Sequence, residues 1–278
     1  MKQIIAAHDL SGVGRASLGA VMPVVSAMEG VVLPLPTAVL SSITGVFEGY
    51  RIADLTGQMS ETLDHWQELE VSPDCIYSGF LGGHEQVDII ISAIDRFKGI
   101  YVVVDPVFAD EGRLYPTMSM EMVENMKRLV TYADVITPNV TEAMFLLGES
   151  NETPSEAEIK DWLVRLCGMG PKCSIITSVM LDGGMYVMAY NRETGDFWRY
   201  KVEYIPVKYH GTGDVFTSAV VGAIMRGDKF ENAITLAAEF VQRAISATID
   251  ANYDYRYGVL IEKVLGELAP VENKCVRF

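Results

Sequence analysis

Short, nearly unbroken runs of β-branched and aromatic residues, set between longer stretches of helical periodicity, most constrain how this chain can fold. Runs such as Tyr101–Val104 (YVVV) and Ile76–Ser78 (IYS) lack the polar alternation of a half-exposed strand and read as strands covered on both faces. The pattern predicts strands over Gln3–Ala7, Val31–Leu35, Asp74–Tyr77, Ile100–Val104, Asp134–Thr137 and Cys173–Thr177. It predicts helices over Arg15–Met28, Ser60–Glu70, Glu85–Phe97, Ser119–Thr131, Thr141–Leu147, Ser155–Cys167, Val215–Arg226 and Phe230–Ile249. Alternation of this kind implies an α/β fold with a doubly wound, mainly parallel sheet flanked by helices. One stretch, Met185–Ile205, departs from the rhythm: two alternating runs joined by Asn191–Asp196 read as an antiparallel hairpin at one edge of the sheet. No Pro/Gly/Ser linker, charge block or internal repeat divides the chain, so residues 1–278 are expected to form one domain.

The charge balance narrows the partners. A formal net charge of −15 opposes binding to nucleic acid or an anionic membrane, since both present phosphates that an acidic surface repels. An anionic small molecule then needs a local positive environment, which backbone N–H groups at a helix N-terminus and a bound metal ion supply. The start MKQIIAAHDL has no long apolar core or cleavage site of a secretory signal, and no apolar run reaches membrane-spanning length, so a cytoplasmic location is expected. Cys75, Cys167, Cys173 and Cys275 lack CxxC spacing and suggest buried thiols, with neither a zinc site nor a disulfide framework.

In open α/β sheets ligands gather beyond the carboxyl ends of the strands, so polar residues just after the predicted strands carry the functional argument. They are Asp9, Asp105, Asn139, Glu142, Thr177 and the segment His210–Asp214 (HGTGD), which opens an apolar helix. Gly211 and Gly213 let that backbone bend while its N–H groups point outward at a helix N-terminus, an arrangement suited to a transferring phosphoryl group. Asp214 then has two readings: a general base for a substrate hydroxyl, or an ordinary helix cap. Asp105, before Pro106, is placed to help hold Mg²⁺ or orient phosphates. Asn139 and Glu142, three residues apart, suit either hydrated Mg²⁺ or a capping box. The P-loop pattern is absent, and Gly12–Ser17 (GVGRAS) is an incomplete GxGxxG with Ser17 where the third glycine belongs, so a nicotinamide-dependent oxidoreductase is a remote reading.

Taken in order, His8–Leu18 (HDLSGVGRASL), Ser78–Gly83 (SGFLGG), Val104–Val107 (VDPV), Thr137–Ala143 (TPNVTEA) and His210–Ala219 (HGTGDVFTSA) resemble the pyridoxal kinase branch of the ribokinase-like superfamily over most of the chain. The resemblance implies Mg-ATP-dependent phosphorylation of the hydroxymethyl group of a vitamin B6 compound. It implies Asp214 as catalytic base and Gly211, Thr212 and Gly213 as the anion hole. Asp105, Thr137, Glu142 and Thr177 match positions that meet ATP, with Asp105 and Glu142 near the metal. Asp9, Thr44 and Phe80 match positions around the substrate ring. Many relatives use a monovalent cation such as K⁺, a site this sequence does not itself show, and homodimers are common among them. Two positions depart from the family: Asp9 stands where well-known members have serine, and Phe80 where tyrosine is frequent. A carboxylate at position 9 suits a ring hydroxyl, a ring nitrogen or a charged aminomethyl group, which points to pyridoxamine. Hydroxymethylpyrimidine kinases of the same fold are the alternative, but these usually have cysteine where this chain has Asp214. A non-catalytic binding relative is the alternative from another class, and the intact Asp214 with its glycines argues against it. His8 and His210 border the two key loops and suit either ligand contact or packing. Tyr253–Tyr257 suits an adenine cover, a subunit contact or a solvated loop, Asp110–Arg113 a flap or an ordinary loop, and Met118, Met120, Met122 and Met126 the core of a helix.

Overall fold

The computed structural model describes residues 1–205, 207, 209–268 and 274–278. The first strand, β1 (Gln3–Ser11), shows why the sheet must be covered on both sides. Ile4 and Ala6 enter one core, Ile5 and Ala7 the other, and all four are wholly buried. A side chain of this size stabilises the fold by about 1.5–3 kcal/mol when fully buried, so neither face tolerates solvent.

From β1 the chain continues through α1 (Leu18–Ala27), β2 (Val31–Leu40), β3 (Ile52–Asp54), α2 (Thr56–Glu68), β4 (Cys75–Ser78), α3 (His84–Arg96) and β5 (Tyr101–Val104). A small hairpin, β6 (Ala109–Asp110) and β7 (Arg113–Leu114), precedes α4 (Met120–Val130), β8 (Val135–Ile136), α5 (Val140–Leu147) and α6 (Glu156–Gly168). Then follow β9 (Cys173–Leu181), β10 (Gly184–Asn191), β11 (Asp196–Val202), α7 (Thr212–Arg226), α8 (Phe230–Asp250) and the C-terminal β12 (Val276–Arg277). The main sheet has ten strands in the order β12-β11-β10-β9-β8-β5-β4-β1-β2-β3. Strands β2, β1, β4, β5, β8 and β9 run parallel, while β3 and the β10–β11–β12 group pair antiparallel. Residues of α1, α7 and α8 fill one core and residues of α2 to α6 the other, which gives the doubly wound architecture. Among the described residues no helix is long and apolar enough to cross a membrane.

The chain leaves β1 toward β2 on one side and later returns to lay β4 on the other, so the winding direction changes between β1 and β4. Crevices form at such switch points. At this one, His8–Ser11 at the end of β1 neighbours the Gly79–Phe80 turn after β4.

The structure shifts several predicted boundaries for local reasons. β1 extends past Ala7 to Ser11, so Asp9 lies within the strand. β2 runs to Leu40, and the short β3, which the sequence pattern did not suggest, pairs with its end. Helix α1 begins at Leu18 rather than Arg15, because Ser17 has φ 49° and ψ −136°, outside the helical region. Helix α2 begins at Thr56, and α7 at Thr212 instead of Val215. The β10–β11 hairpin forms as expected, yet β12 pairs outside β11, so the hairpin does not finish that edge. Met122 and Met126 are core residues, whereas Met120 is exposed.

A buried amide braces the crevice on the β2–β4 side. Gln86, 1% exposed, donates to the Thr37 carbonyl at 2.9 Å and the Thr56 hydroxyl at 2.9 Å, and its oxygen accepts the Gly82 N–H at 2.7 Å. The Thr37 hydroxyl in turn donates to the Phe80 carbonyl at 3.0 Å. Gln86→Leu leaves the Gly82 N–H and Thr37 carbonyl without these partners. We expect a loss of about 1–3 kcal/mol in chemical denaturation. An unchanged midpoint and slope would show that water takes over both groups.

Candidate functional site

The first turn of α7 is held in place by a glycine. Gly211, the N-cap, has φ 78°, and a Cβ there would lie 1.9 Å from the Arg15 carbonyl oxygen. Any other residue is excluded by both the left-handed backbone and the missing space. The close approach brings the loop after β1 against α7. Arg15 is fixed on its other side by its N–H to the Tyr257 carbonyl, at 2.9 Å.

The capping reading of Asp214 does not hold. Because the helix begins at Thr212, Asp214 is its third residue, and the cap is Gly211. The backbone N–H of Ser17, from the loop after β1, instead approaches the Asp214 carboxyl and favours its charged form. Its side chain is 13% exposed. Burial, reinforced by the nearby charge of Asp9 and opposed by the Ser17 N–H, pushes its carboxyl up to about 7. Asp9 is itself buried; it accepts the Ser11 hydroxyl at 2.8 Å and the Ser17 hydroxyl, and burial raises its carboxyl above the usual range.

A second group of carboxylates lies beyond β5 and β8. Asp105, 5% exposed, accepts the Thr217 hydroxyl at 3.2 Å, and that hydroxyl lies 2.9 Å from the Thr137 hydroxyl. Burial, then the charge of Asp214, holds the Asp105 carboxyl well above the usual carboxylate range. Glu142, 3% exposed, is raised likewise by burial and then by Asp105. It also completes the capping box: the Asn139 side chain accepts the Glu142 N–H, and Glu142 accepts the Asn139 N–H, both at 2.9 Å. Further N–H groups of Phe108 and Ala109 reach Glu142, the former at 3.2 Å. The capping reading of Asn139 and Glu142 is thus realised, with the carboxylate still facing Asp105.

The structure therefore links Asp9, Asp214, Asp105, Thr137 and Glu142, from four different strand ends and helix starts, through direct contacts or mutual charge. Gly211, Thr212 and Gly213 form the adjoining turn. Thr177 reaches the group through backbone, pairing with Asn139 and donating its N–H to the Pro138 carbonyl at 3.0 Å. Thr44 occupies a half-buried turn across the crevice, next to Ile43, whose N–H bonds the Val13 carbonyl. Phe80, 9% exposed, forms the crevice wall after β4. Asp110–Arg113 is a two-residue hairpin turn anchored to α5: Thr141 accepts the Gly112 N–H at 3.0 Å, and Asn139 donates to the Ala109 carbonyl at 2.8 Å. Tyr257 packs against Phe47 and Tyr253 at ring separations of 5.6 and 5.8 Å, so the tyrosine run packs partly on itself and on the loop that holds Thr44.

Some participants escaped the sequence reading. Thr217, three residues after Asp214 on the same helix, follows the i,i+3 spacing that places it on the same side, a signal that was available. Ser17 stood out only as the wrong residue in an incomplete glycine motif. Tyr115, whose hydroxyl feels the charges of Glu142, Asp110, Asp105 and Asp214, left no trace in any pattern.

The family model described as phosphomethylpyrimidine kinase matches residues 57–258. A crystal structure of a Bacteroides thetaiotaomicron protein assigned as a phosphomethylpyrimidine kinase, in a form with pyridoxal, is 43% identical, covers 100% of this chain and 99% of its own, and superposes with a TM-score of 0.96. The pyridoxal kinase of Rubrobacter xylanophilus is 28% identical over 77% of this chain and 76% of its own length. A hydroxymethylpyrimidine/phosphomethylpyrimidine kinase of Aquifex aeolicus is 31% identical over 60% of this chain and 65% of its own.

The raised Asp214 carboxyl has a consequence for stability. Burial raises the Asp214 carboxyl to about 7 in the folded protein, against 3.8 for an unperturbed aspartate in the unfolded chain. The contribution is therefore fully present below the unfolded value, is lost progressively as pH rises to the folded one and changes no further above it. Asp214→Asn never ionises. Its melting temperature is expected to match the parent near about pH 4, to exceed it increasingly up to about pH 7 and to hold that margin to about pH 9. Melting curves across that range test the point, and a constant difference overturns it.

Proposed function

The chain belongs to the phosphomethylpyrimidine kinase family, in the pyridoxal kinase branch of the ribokinase-like superfamily, and on that footing we propose that it transfers the γ-phosphoryl group of ATP to the hydroxymethyl group of a vitamin B6 compound. The observation that carries the reading is the Asp214 carboxylate. It sits in the first turn of a glycine-capped helix, is oriented by a neighbouring N–H instead of capping its own helix, and protonates close to neutral pH. In the proposed step the substrate hydroxyl gives its proton to Asp214 as its oxygen bonds to the γ-phosphorus and ADP departs with the electrons of the broken P–O bond. The N–H groups of the Gly211–Gly213 turn, at the positive end of α7, suit the charge on the transferring group.

The paired burial of Asp105 and Glu142 supports a role for Mg²⁺. Two buried carboxylates, each with its proton affinity raised by burial and by a neighbouring acid, gain from a nearby cation. Most of the Glu142 hydrogen-bonding capacity is taken by backbone N–H groups, so the pair fits an ion held chiefly by ATP phosphates and water, with the carboxylates supplying charge from beside it. Turnover is expected to stop in excess chelator and to return with added Mg²⁺; undiminished turnover in chelator overturns the metal role.

Hydroxymethylpyrimidine is the second substrate reading, favoured by the family description and the Aquifex relative. Asp214, in place of the cysteine usual in that group, favours the B6 compound. Asp9 fits a ring-facing role through lone pairs beyond those its two serines occupy. Coupled ADP-release assays with pyridoxal, pyridoxamine, pyridoxine and hydroxymethylpyrimidine separate the readings.

The decisive variant is Asp214→Asn. We expect it to fold, to bind ATP and to lose turnover by about 10²–10⁴-fold on the best substrate. Turnover within a few-fold of the parent removes Asp214 as the base.

A further inference from the structure

His8 is a polar side chain beside Asp214 that phosphoryl transfer, as described above, leaves without a task. It is wholly buried, and neither Nδ1 nor Nε2 has a hydrogen-bond partner. Buried polar groups left unpaired are rare and costly, and they concentrate where function keeps them. The space for the ring is built into the fold. A Cβ on Gly79 would lie 2.2 Å from the His8 Cε1, so the glycine opening the turn after β4 clears the volume that the imidazole occupies. Tyr77 meets it edge-on with ring centres 4.3 Å apart. These contacts leave the ring little freedom, with Nδ1 placed 3.8 Å from Oδ1 of Asp214.

We propose that His8 is a positioning residue for the base: its neutral imidazole donates Nδ1–H to the Asp214 carboxylate once substrate occupies the crevice, fixing the oxygen that receives the proton. The inference rests on Asp214 being the base. A neutral imidazole always carries one N–H, and burial keeps this one neutral by lowering its proton affinity to about 3. The separation exceeds a hydrogen bond by roughly one ångström, within reach of a small rotation of the aspartate, which is not hemmed in by its own helix as a cap would be. The Ser17 N–H already grips the same carboxylate. A second donor from β1 then restrains it from another side, against the charges and rings that face it: Asp9 on β1, Tyr77 on β4, Asp105 after β5 and Tyr115 after β7. No proton leaves His8; it orients and stabilises the ionised base.

A packing role and a positioning role predict opposite behaviour for His8→Leu. Leucine fills a similar volume and removes both unpaired nitrogens, so the variant is expected to melt at or above the parent temperature. Its kcat is expected to fall about 10–100-fold, the effect of removing a hydrogen bond to a charged group, with KM for ATP unchanged. His8→Asn restores a donor close to the Nδ1 position and should recover most of kcat, whereas His8→Gln, which reaches toward the Nε2 position, should not. Parallel assay of Asp214→Asn separates this inference from the base assignment. If that variant is impaired while His8→Leu turns over within about three-fold of the parent, His8 has no positioning role. A fall in kcat matched by a lowered melting temperature and not rescued by asparagine also overturns the proposal. If Asp214→Asn stays active, the base assignment itself fails and His8 with it.

Discussion

The close seating of Gly211 on the Arg15 carbonyl is the contact on which the rest of the site depends. With no space for a Cβ, the start of α7 and the loop after β1 meet backbone to backbone. That approach delivers the Ser17 N–H to Asp214, and it does so from a different part of the chain than the helix carrying the acid. A side chain between them would separate Asp214 from that N–H. The same loop is tied on its far side to Tyr257, and Gly258 leaves only 3.0 Å between its own would-be Cβ and the Arg15 carbonyl. Arg15 is thus clasped between two glycines from distant parts of the sequence.

Electrostatics gives the site its second character. Asp9, Asp105, Glu142 and Asp214 are brought into low-dielectric surroundings where their contacts are hydroxyls and N–H groups. Burial therefore dominates each shift, and at Asp105, Glu142 and Asp214 a neighbouring charge adds to it. Such an arrangement costs stability unless a cation approaches or the acids themselves take up protons. Fold stability is set against the ionised state of the acids at these positions.

The architecture was legible because its signals are periodic. Unbroken apolar strands and amphipathic helices fix the layers, and the turn sequence Asn191–Asp196 fixes the hairpin. What the pattern could not give were events that depend on partners far along the chain. Helix α7 starts three residues early because Gly211, not Asp214, makes the cap, and local propensity ranks aspartate among the better caps. Strand β3 is three exposed residues at a sheet edge, too short and too polar in context to stand out. In the site, strand-end placement found Asp9, Asp105 and Glu142, since that rule follows from topology. It gave Thr217 no distinction from the apolar residues around it, and nothing in the sequence marks Tyr115, whose relevance arises only from the hairpin that folds it toward the carboxylates.

Ser17 shows how a departure from a motif becomes informative once its contacts are known. Its backbone occupies a region that favours glycine, at a position where a glycine motif would have one. Holding a serine there costs on the order of 1–3 kcal/mol. The hydroxyl supplies an offset, because it bonds the buried Asp9 carboxylate while the N–H of the same residue approaches Asp214. One strained residue therefore connects the two acids, and the charge of Asp9 is felt at Asp214. Glycine would keep the turn and its N–H but leave Asp9 without one of its hydroxyl partners. Alanine would keep the strain and lose the bond. Serine alone among the three satisfies both carboxylates, which is the physical reason for a side chain where the backbone asks for none.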